Sequence, residues 1–117
     1  GGSDSDSIKN TARYATIGGG DGNDSITNTG ANSYIEGNAG NDSIYNSAQN
    51  ATLVGGDGND YLTNEGQNAL VLLSSGNDTI NLSTCKNDIK VFFLSSSFCT
   101  LIKSCFICLG DSITGLK

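Results

Sequence analysis

The chain contains no histidine, proline, methionine or tryptophan, and its four cysteines all lie in the last third. With no imidazole anywhere and no thiol near its glycine-rich loops, it has nothing there from which to build a transition-metal site. Cys85, Cys99, Cys105 and Cys108 cannot serve as a disulfide framework for the whole chain, so the body must hold itself together by other means. Apolar residues are 36% and aromatics 7% of 117 residues, which bounds the chain to one domain with a composition unlike an ordinary globule's. No Gly-Lys-Ser/Thr follows any glycine run, so a phosphate loop is missing its lysine. No loop carries the twelfth-position glutamate of an EF-hand.

What is abundant is Gly, Ser, Asn and Asp, and the charge is unevenly placed. The net charge is −6, yet residues 1–81 oppose their ten acidic side chains only with Lys9 and Arg13, while residues 82–117 are net positive. An acidic body repels phosphate backbones, which argues against nucleic acid and for cations as partners. Composition of this kind also suits a disordered linker, so pattern has to decide.

Cut into nines from Gly1, the eighth position reads Ile8, Ile17, Ile26, Ile35, Ile44, Leu53, Leu62, Val71, Ile80 and Ile89. About a fifth of the residues are Ile, Leu or Val, so ten consecutive hits arise by chance at roughly one in ten million. One aliphatic every nine residues fits neither the 3.6-residue period of an amphipathic helix nor the alternation of a hairpin strand. It fits a solenoid in which a loop of about six residues precedes a strand of about three, the aliphatic pointing inward. The nines alternate in kind. GGDGND (19–24), GNAGND (37–42), GGDGND (55–60) and SSGND (74–78) alternate with NTGANS (28–33), NSAQNA (46–51) and NEGQNA (64–69). Two nines then make one coil of eighteen residues, and the fold class is an all-β parallel β-roll or β-solenoid over residues 1–90.

In such a coil the acidic loops stack on one edge. Asp6, Asp24, Asp42, Asp60 and Asp78 form a column at the strand spacing of ~4.8 Å, where like charges repel unless a cation lies between them. Calcium takes six to eight hard oxygens, and glycines at Gly19, Gly20, Gly22, Gly37, Gly40, Gly55, Gly56, Gly58 and Gly76 let the backbone turn its carbonyls toward an ion. Magnesium demands a tighter octahedron than such loops offer.

GGDGNDSIT and GGDGNDYLT resemble the RTX (hemolysin-type) nonapeptide GGxGxDxUx, with two copies in full and two degenerate. The resemblance covers residues 1–90. It implies that the sixth-slot Asp supplies the side-chain ligand, that calcium lies between loops eighteen residues apart, and that the chain is secreted by a type I route and folds on meeting extracellular calcium. Departures are visible. Asn38 replaces a glycine, Leu73 and Ser74 replace the glycine pair before Asp78, and the first nine lacks its fourth-slot glycine, which weakens the end sites at Asp6 and Asp78. Ala15, Ser33, Ala51 and Ala69 stand where the family has Asp, so only one edge is expected to bind calcium.

On the opposite edge Asn10, Asn28, Asn46 and Asn64 fill one slot and Asn32, Asn50 and Asn68 another. They are either stacked amide ladders or turn residues. A ladder offers an alternative function, a calcium-independent solenoid presenting a glycan- or ice-binding face. The tail from 91, VFFLSSSFCTLIKSCFICL, is broken by Lys103 and five Ser/Thr, which argues against a membrane span and for a C-terminal cap over 91–117. Its cysteines lack a complete zinc ligand set. The GDSI at 110–113 repeats the motif out of phase. The opening GGSDSDSIKN, without Met or an apolar leader, reads as part of a longer secreted protein. A regular carboxylate ladder has neither the pocket nor the companion nucleophile of an active site, so the expectation is a structural or adhesin module and not an enzyme.

Overall fold

Each nine-residue unit delivers one inward aliphatic and one short extended segment, and a chain of such units can satisfy its backbone only by stacking coil on coil. The computed structural model describes residues 1–82 with side chains and, beyond them, the backbone of 90–93, 98–103 and 112–115. The strands are β1 (Ser7–Asn10), β2 (Thr16–Asp21), β3 (Ser25–Asn28), β4 (Tyr34–Ala39), β5 (Ser43–Asn46), β6 (Thr52–Asp57), β7 (Tyr61–Asn64), β8 (Leu70–Leu73), β9 (Asn77–Leu82), β10 (Lys90–Phe93), β11 (Phe98–Lys103) and β12 (Ser112–Gly115). Odd strands pair in the order β1-β3-β5-β7-β9-β11 and even strands in the order β12-β10-β8-β6-β4-β2. Every pairing is parallel. The chain is an all-β solenoid with coils of about eighteen residues.

Register follows from the inward aliphatics. Ile8 faces Ile26, Ile26 faces Ile44 and Leu62 faces Ile80 in the first sheet. Ile17 faces Ile35, Ile35 faces Leu53 and Leu53 faces Val71 in the second. Ile26, Ile35, Ile44, Leu53, Leu62, Val71 and Ile80 are 0–1% exposed, and Ile8 and Ile17 are half-buried against them at the first coil. A one-residue slip would turn both columns out to solvent, which fixes the stacking.

The strands differ in length from the expected three residues. Odd strands through β7 have four residues. Strands β2, β4 and β6 have six because pairing runs on through the glycine pair, with Gly20 opposite Asn38 and Asn38 opposite Gly56. The glycine pair is thus the end of a strand as well as the start of a loop.

Beyond Leu82 the ruler stretches. Seven residues separate β9 from β10 where five separate β7 from β8, and it is Val91 that faces Val71. Ile89, the tenth member expected from the period, lies outside the described residues. Ile113, in the fragment that looked out of phase, faces Val91. β10, β11 and β12 extend both sheets. The side chains on which a capping role would rest lie outside the described residues, as do Cys85, Cys105 and Cys108. Cys99 is described only as backbone in β11, facing Asp78. No helix among the described residues is long and apolar enough to cross a membrane.

Candidate functional site: the acidic edge

The acidic loops can turn because their second and fourth positions adopt left-handed backbone. Gly20, Asn38 and Gly56 have φ of 105°, 78° and 105°, and Gly22, Gly40, Gly58 and Gly76 lie between 106° and 123°. Asn is the side chain best suited to this region, which explains why Asn38 can replace a glycine. At the fourth position the constraint is also steric, because a Cβ on Gly40 would run into the carbonyl of Gly22.

These turns bring the sixth-slot aspartates into a column, as the repeat implies, and bury them. Asp24, Asp42, Asp60 and Asp78 are 1–2% exposed. Each uses Oδ1 to accept the backbone N–H of its equivalent in the preceding coil: Asp6 N–H donates to Asp24, Asp24 to Asp42, Asp42 to Asp60 and Asp60 to Asp78, at 2.8–2.9 Å. The residue before each aspartate does the reverse. Asn41 N–H donates to Asn23 Oδ1, Asn59 to Asn41 and Asn77 to Asn59, at 2.7–2.8 Å. This third asparagine column was not read from the sequence, although the invariant Asn-Asp pair in four acidic loops was the available signal.

The second carboxylate oxygen has no such partner. Oδ2 of Asp24, Asp42, Asp60 and Asp78 is buried and unpaired. Each of the first three is pressed against the first glycine of its own loop: a Cβ at Gly19, Gly37 or Gly55 would collide with Oδ2 of Asp24, Asp42 or Asp60. The same Cβ at Gly19 would stand 2.6 Å from the Gly37 carbonyl oxygen, and that at Gly37 2.5 Å from the Gly55 carbonyl oxygen. A carboxylate oxygen and a carbonyl oxygen from successive coils therefore lie close to one position, that of the missing Cβ. At Gly55 the three nearest atoms all belong to Asp60, so the pairing fades toward Leu73.

Such an arrangement opposes negative charge. Burial pushes the carboxyls of Asp42 and Asp78 above the usual range and that of Asp60 up to about 7. The Asp42 N–H donated to Asp60 works against that rise, whereas the Asp78 and Asp42 carboxylates add to it. A buried carboxylate oxygen without a hydrogen-bond donor calls for a proton or a cation.

The ends of the column differ. Asp6 is half-buried, and its Oδ2 accepts the Gly2 N–H at 2.9 Å. Asp78 is as buried as its neighbours and accepts the Asp60 N–H, but buried Leu73 takes the place of its glycine. Asp57, in the third slot of its nine, is exposed and accepts the Ser75 hydroxyl at 2.8 Å. Because Oδ1 of Asp24, Asp42, Asp60 and Asp78 is already committed, each of these four carboxylates has one oxygen left.

The opposite edge resolves the two asparagine slots differently. Asn10, Asn28 and Asn46 donate through Nδ2 to Oδ1 of Asn28, Asn46 and Asn64, each at 2.7 Å. That slot is an amide ladder, and Asn28, Asn46 and Asn64 are fully buried, so their amides hold coils together and cannot meet a ligand. Asn32, Asn50 and Asn68 are turn residues with φ of 54–59°. At the positions where the RTX pattern would place a second set of aspartates, Ser33 Oγ accepts the Ala15 N–H at 3.2 Å, while Ala51 and Ala69 are buried without any carboxylate.

Among the described residues no three His, Cys, Asp or Glu side chains converge as a metal-binding group; on the acidic edge a single carboxylate oxygen and a backbone carbonyl lie near one position at Gly19 and again at Gly37. Comparison with family models, with curated proteins and with solved structures finds no match to this chain.

Proposed function

We propose that the acidic edge binds calcium between coils, and that the chain is a non-catalytic, calcium-stabilised β-solenoid acting as a structural, adhesin or secretion-linked folding module outside the cell. The observation that carries this reading is the row of buried carboxylate oxygens without partners. Two of them, on Asp24 and Asp42, share space with the Gly37 and Gly55 carbonyls. Leaving a charged oxygen buried and unpaired costs several kcal/mol, and a hard cation fits an all-oxygen donor set. Asp24 with Gly37, and Asp42 with Gly55, are the pairs that would hold it, the remaining coordination coming from other carbonyls and water. The likeness of GGDGNDSIT and GGDGNDYLT to the RTX nonapeptide supports the same choice of ion.

With one carboxylate per site and otherwise neutral ligands, affinity falls in the range of extracellular modules, ~10⁻⁴–10⁻³ M. Circular dichroism and thermal melting across a calcium titration, against a chelator-treated sample, test this. Gain of strand signal or of melting temperature with millimolar calcium is the expected result. An unchanged spectrum and melting curve would favour the second reading, a calcium-independent solenoid. Its support is that the Asn10–Asn64 amide ladder and every Asp Oδ1 bond close without any ion.

A further inference from the structure

Where the Asn-rich edge meets the outer face of the first sheet, Ser47, Gln49, Glu65, Gly66 and Gln67 line an open groove of about 290 Å³. Tyr45, on β5, stands at its rim. Its ring is 37% exposed and its hydroxyl donates to Glu65 Oε1, an interaction that also holds the phenol's pKa above its usual value. The groove is not a by-product of the repeat. One and two coils earlier the positions of Tyr45, Ser47 and Gln49 hold Thr27, Thr29 and Ala31, and Lys9, Thr11 and Arg13. Only the third and fourth coils place an aromatic, a carboxylate and two long amides together, and nothing in the stacking of coils requires them, since the buried ladder beneath is already closed.

We propose that this groove binds one sugar unit of a neutral polysaccharide, with the Tyr45 ring against the C–H face and Gln49, Gln67 and Glu65 bonding its hydroxyls. A glutamine amide presents a donor and an acceptor side by side, matching vicinal hydroxyls, which both donate and accept. A carboxylate with one oxygen held by Tyr45 keeps its other oxygen to accept a hydroxyl. An exposed phenol supplies an apolar platform with a polar tip. Glu65 is the one ionisable group lining the groove, on a chain of net charge −6, so sulfated and uronate sugars are repelled. The volume lies just below the ~300–1,000 Å³ of pockets that enclose a whole ligand, which suits one ring of a longer chain crossing the edge. The site lies on the edge opposite the aspartate column and goes beyond the calcium reading.

The test uses the full chain in millimolar calcium, with cellotetraose, maltotetraose, chitotetraose and a heparin-derived tetrasaccharide as probes in saturation-transfer NMR and calorimetry. At least one neutral tetrasaccharide is expected to bind and the heparin fragment not to. Gln49→Ala and Gln67→Ala should each weaken binding about tenfold, the loss of one good hydrogen bond. Tyr45→Ala should abolish saturation transfer, and Tyr45→Phe should fall between, since it keeps the ring and frees Glu65. All three substituted side chains are at the surface, so the strand spectrum serves as a check that folding is intact. Absence of transfer from every neutral probe, binding indifferent to these substitutions, or preference for the heparin fragment would each overturn the proposal. A failed calcium response would appear in the dichroism titration and not in this one.

Discussion

Asn41 and Asp42 are adjacent in sequence yet tie opposite neighbours: Asn41 Oδ1 accepts the N–H of Asn59 in the following coil, and Asp42 Oδ1 that of Asp24 in the preceding one. One dipeptide therefore staples its coil on both sides, and repetition of Asn-Asp gives two antiparallel columns of side-chain acceptors along one edge. The asparagine column is exposed and neutral. The aspartate column is buried and carries an oxygen in excess of its hydrogen-bonding needs. That difference separates the scaffold role of the edge from its proposed cation role.

Asp42→Asn tests the separation. The amide keeps an acceptor for the Asp24 N–H and replaces the unpaired oxygen with a donor facing the Gly55 carbonyl. In chelator the variant should melt higher than the parent, by the equivalent of about 1–3 kcal/mol. In millimolar calcium it should gain less than the parent does. A variant that loses stability in chelator would show that the carboxylate is not frustrated in the metal-free fold.

The same frustration predicts a pH dependence. Asp60 is raised to about 7, and Asp42 and Asp78 are raised by burial. A carboxyl whose folded pKa exceeds its unfolded value contributes stability that is complete below the unfolded pKa, near 3.8, and is lost as pH rises through the folded value. Metal-free protein should therefore be more stable at pH 5 than at pH 8, by on the order of 2 kcal/mol from Asp60 alone. With calcium the trend should flatten or reverse, because cation and proton compete for one oxygen. Paired melting curves at the two pH values, with and without chelator, measure both slopes.

Much of this was legible in the sequence. The nine-residue column of aliphatics fixed coil length, sheet order and the inward face up to Ile80, because a single buried residue per strand sets register without ambiguity. The aspartate column followed from the same ruler. What the ruler could not convey was the use of each oxygen, because a carboxylate spaced for a cation is equally spaced to accept an amide from the next coil. For the same reason the two asparagine slots were indistinguishable by composition. Asn46 points inward to a ladder as the last residue of β5 and Asn50 turns the chain four residues later, and only their place relative to the strand end separates the two. Beyond Leu82 the period itself changes, and a fixed ruler aligned Ile89 where Val91 sits.

Those two asparagines should respond oppositely to substitution. Asn50→Gly should be neutral or slightly stabilising, since φ is 57° there, and Asn50→Ala should cost about 1 kcal/mol for placing a Cβ in the left-handed region. Asn46→Ala removes the acceptor for Asn28, the donor to Asn64 and the bonds to Ala48 from a fully buried position, so its cost should reach ~2–4 kcal/mol. Chemical denaturation of the three variants ranks them. Equal losses at positions 46 and 50 would mean that the ladder contributes no more than a turn.

Gly37→Ala and Asp57→Ala together ask whether calcium depends on local geometry or on diffuse charge. Gly37 carries no charge and has an ordinary backbone conformation, but its added methyl would collide with Asp42 Oδ2 and stand 2.5 Å from the Gly55 carbonyl oxygen. It would therefore fill the space that those two oxygens share and that a cation would need. Asp57→Ala removes a whole negative charge from an exposed position that meets only Ser75, where screening makes the charge count for little. If the shared space is the site, Gly37→Ala should weaken calcium-induced stabilisation at least tenfold in midpoint, while Asp57→Ala should shift it less than twofold. Because the methyl also strains the metal-free fold, the comparison is made on the calcium-induced change in melting temperature of each variant against its own chelated sample. A larger calcium deficit at Asp57 than at Gly37 would mean that long-range attraction to an acidic edge, and not an oxygen pair between coils, governs the response.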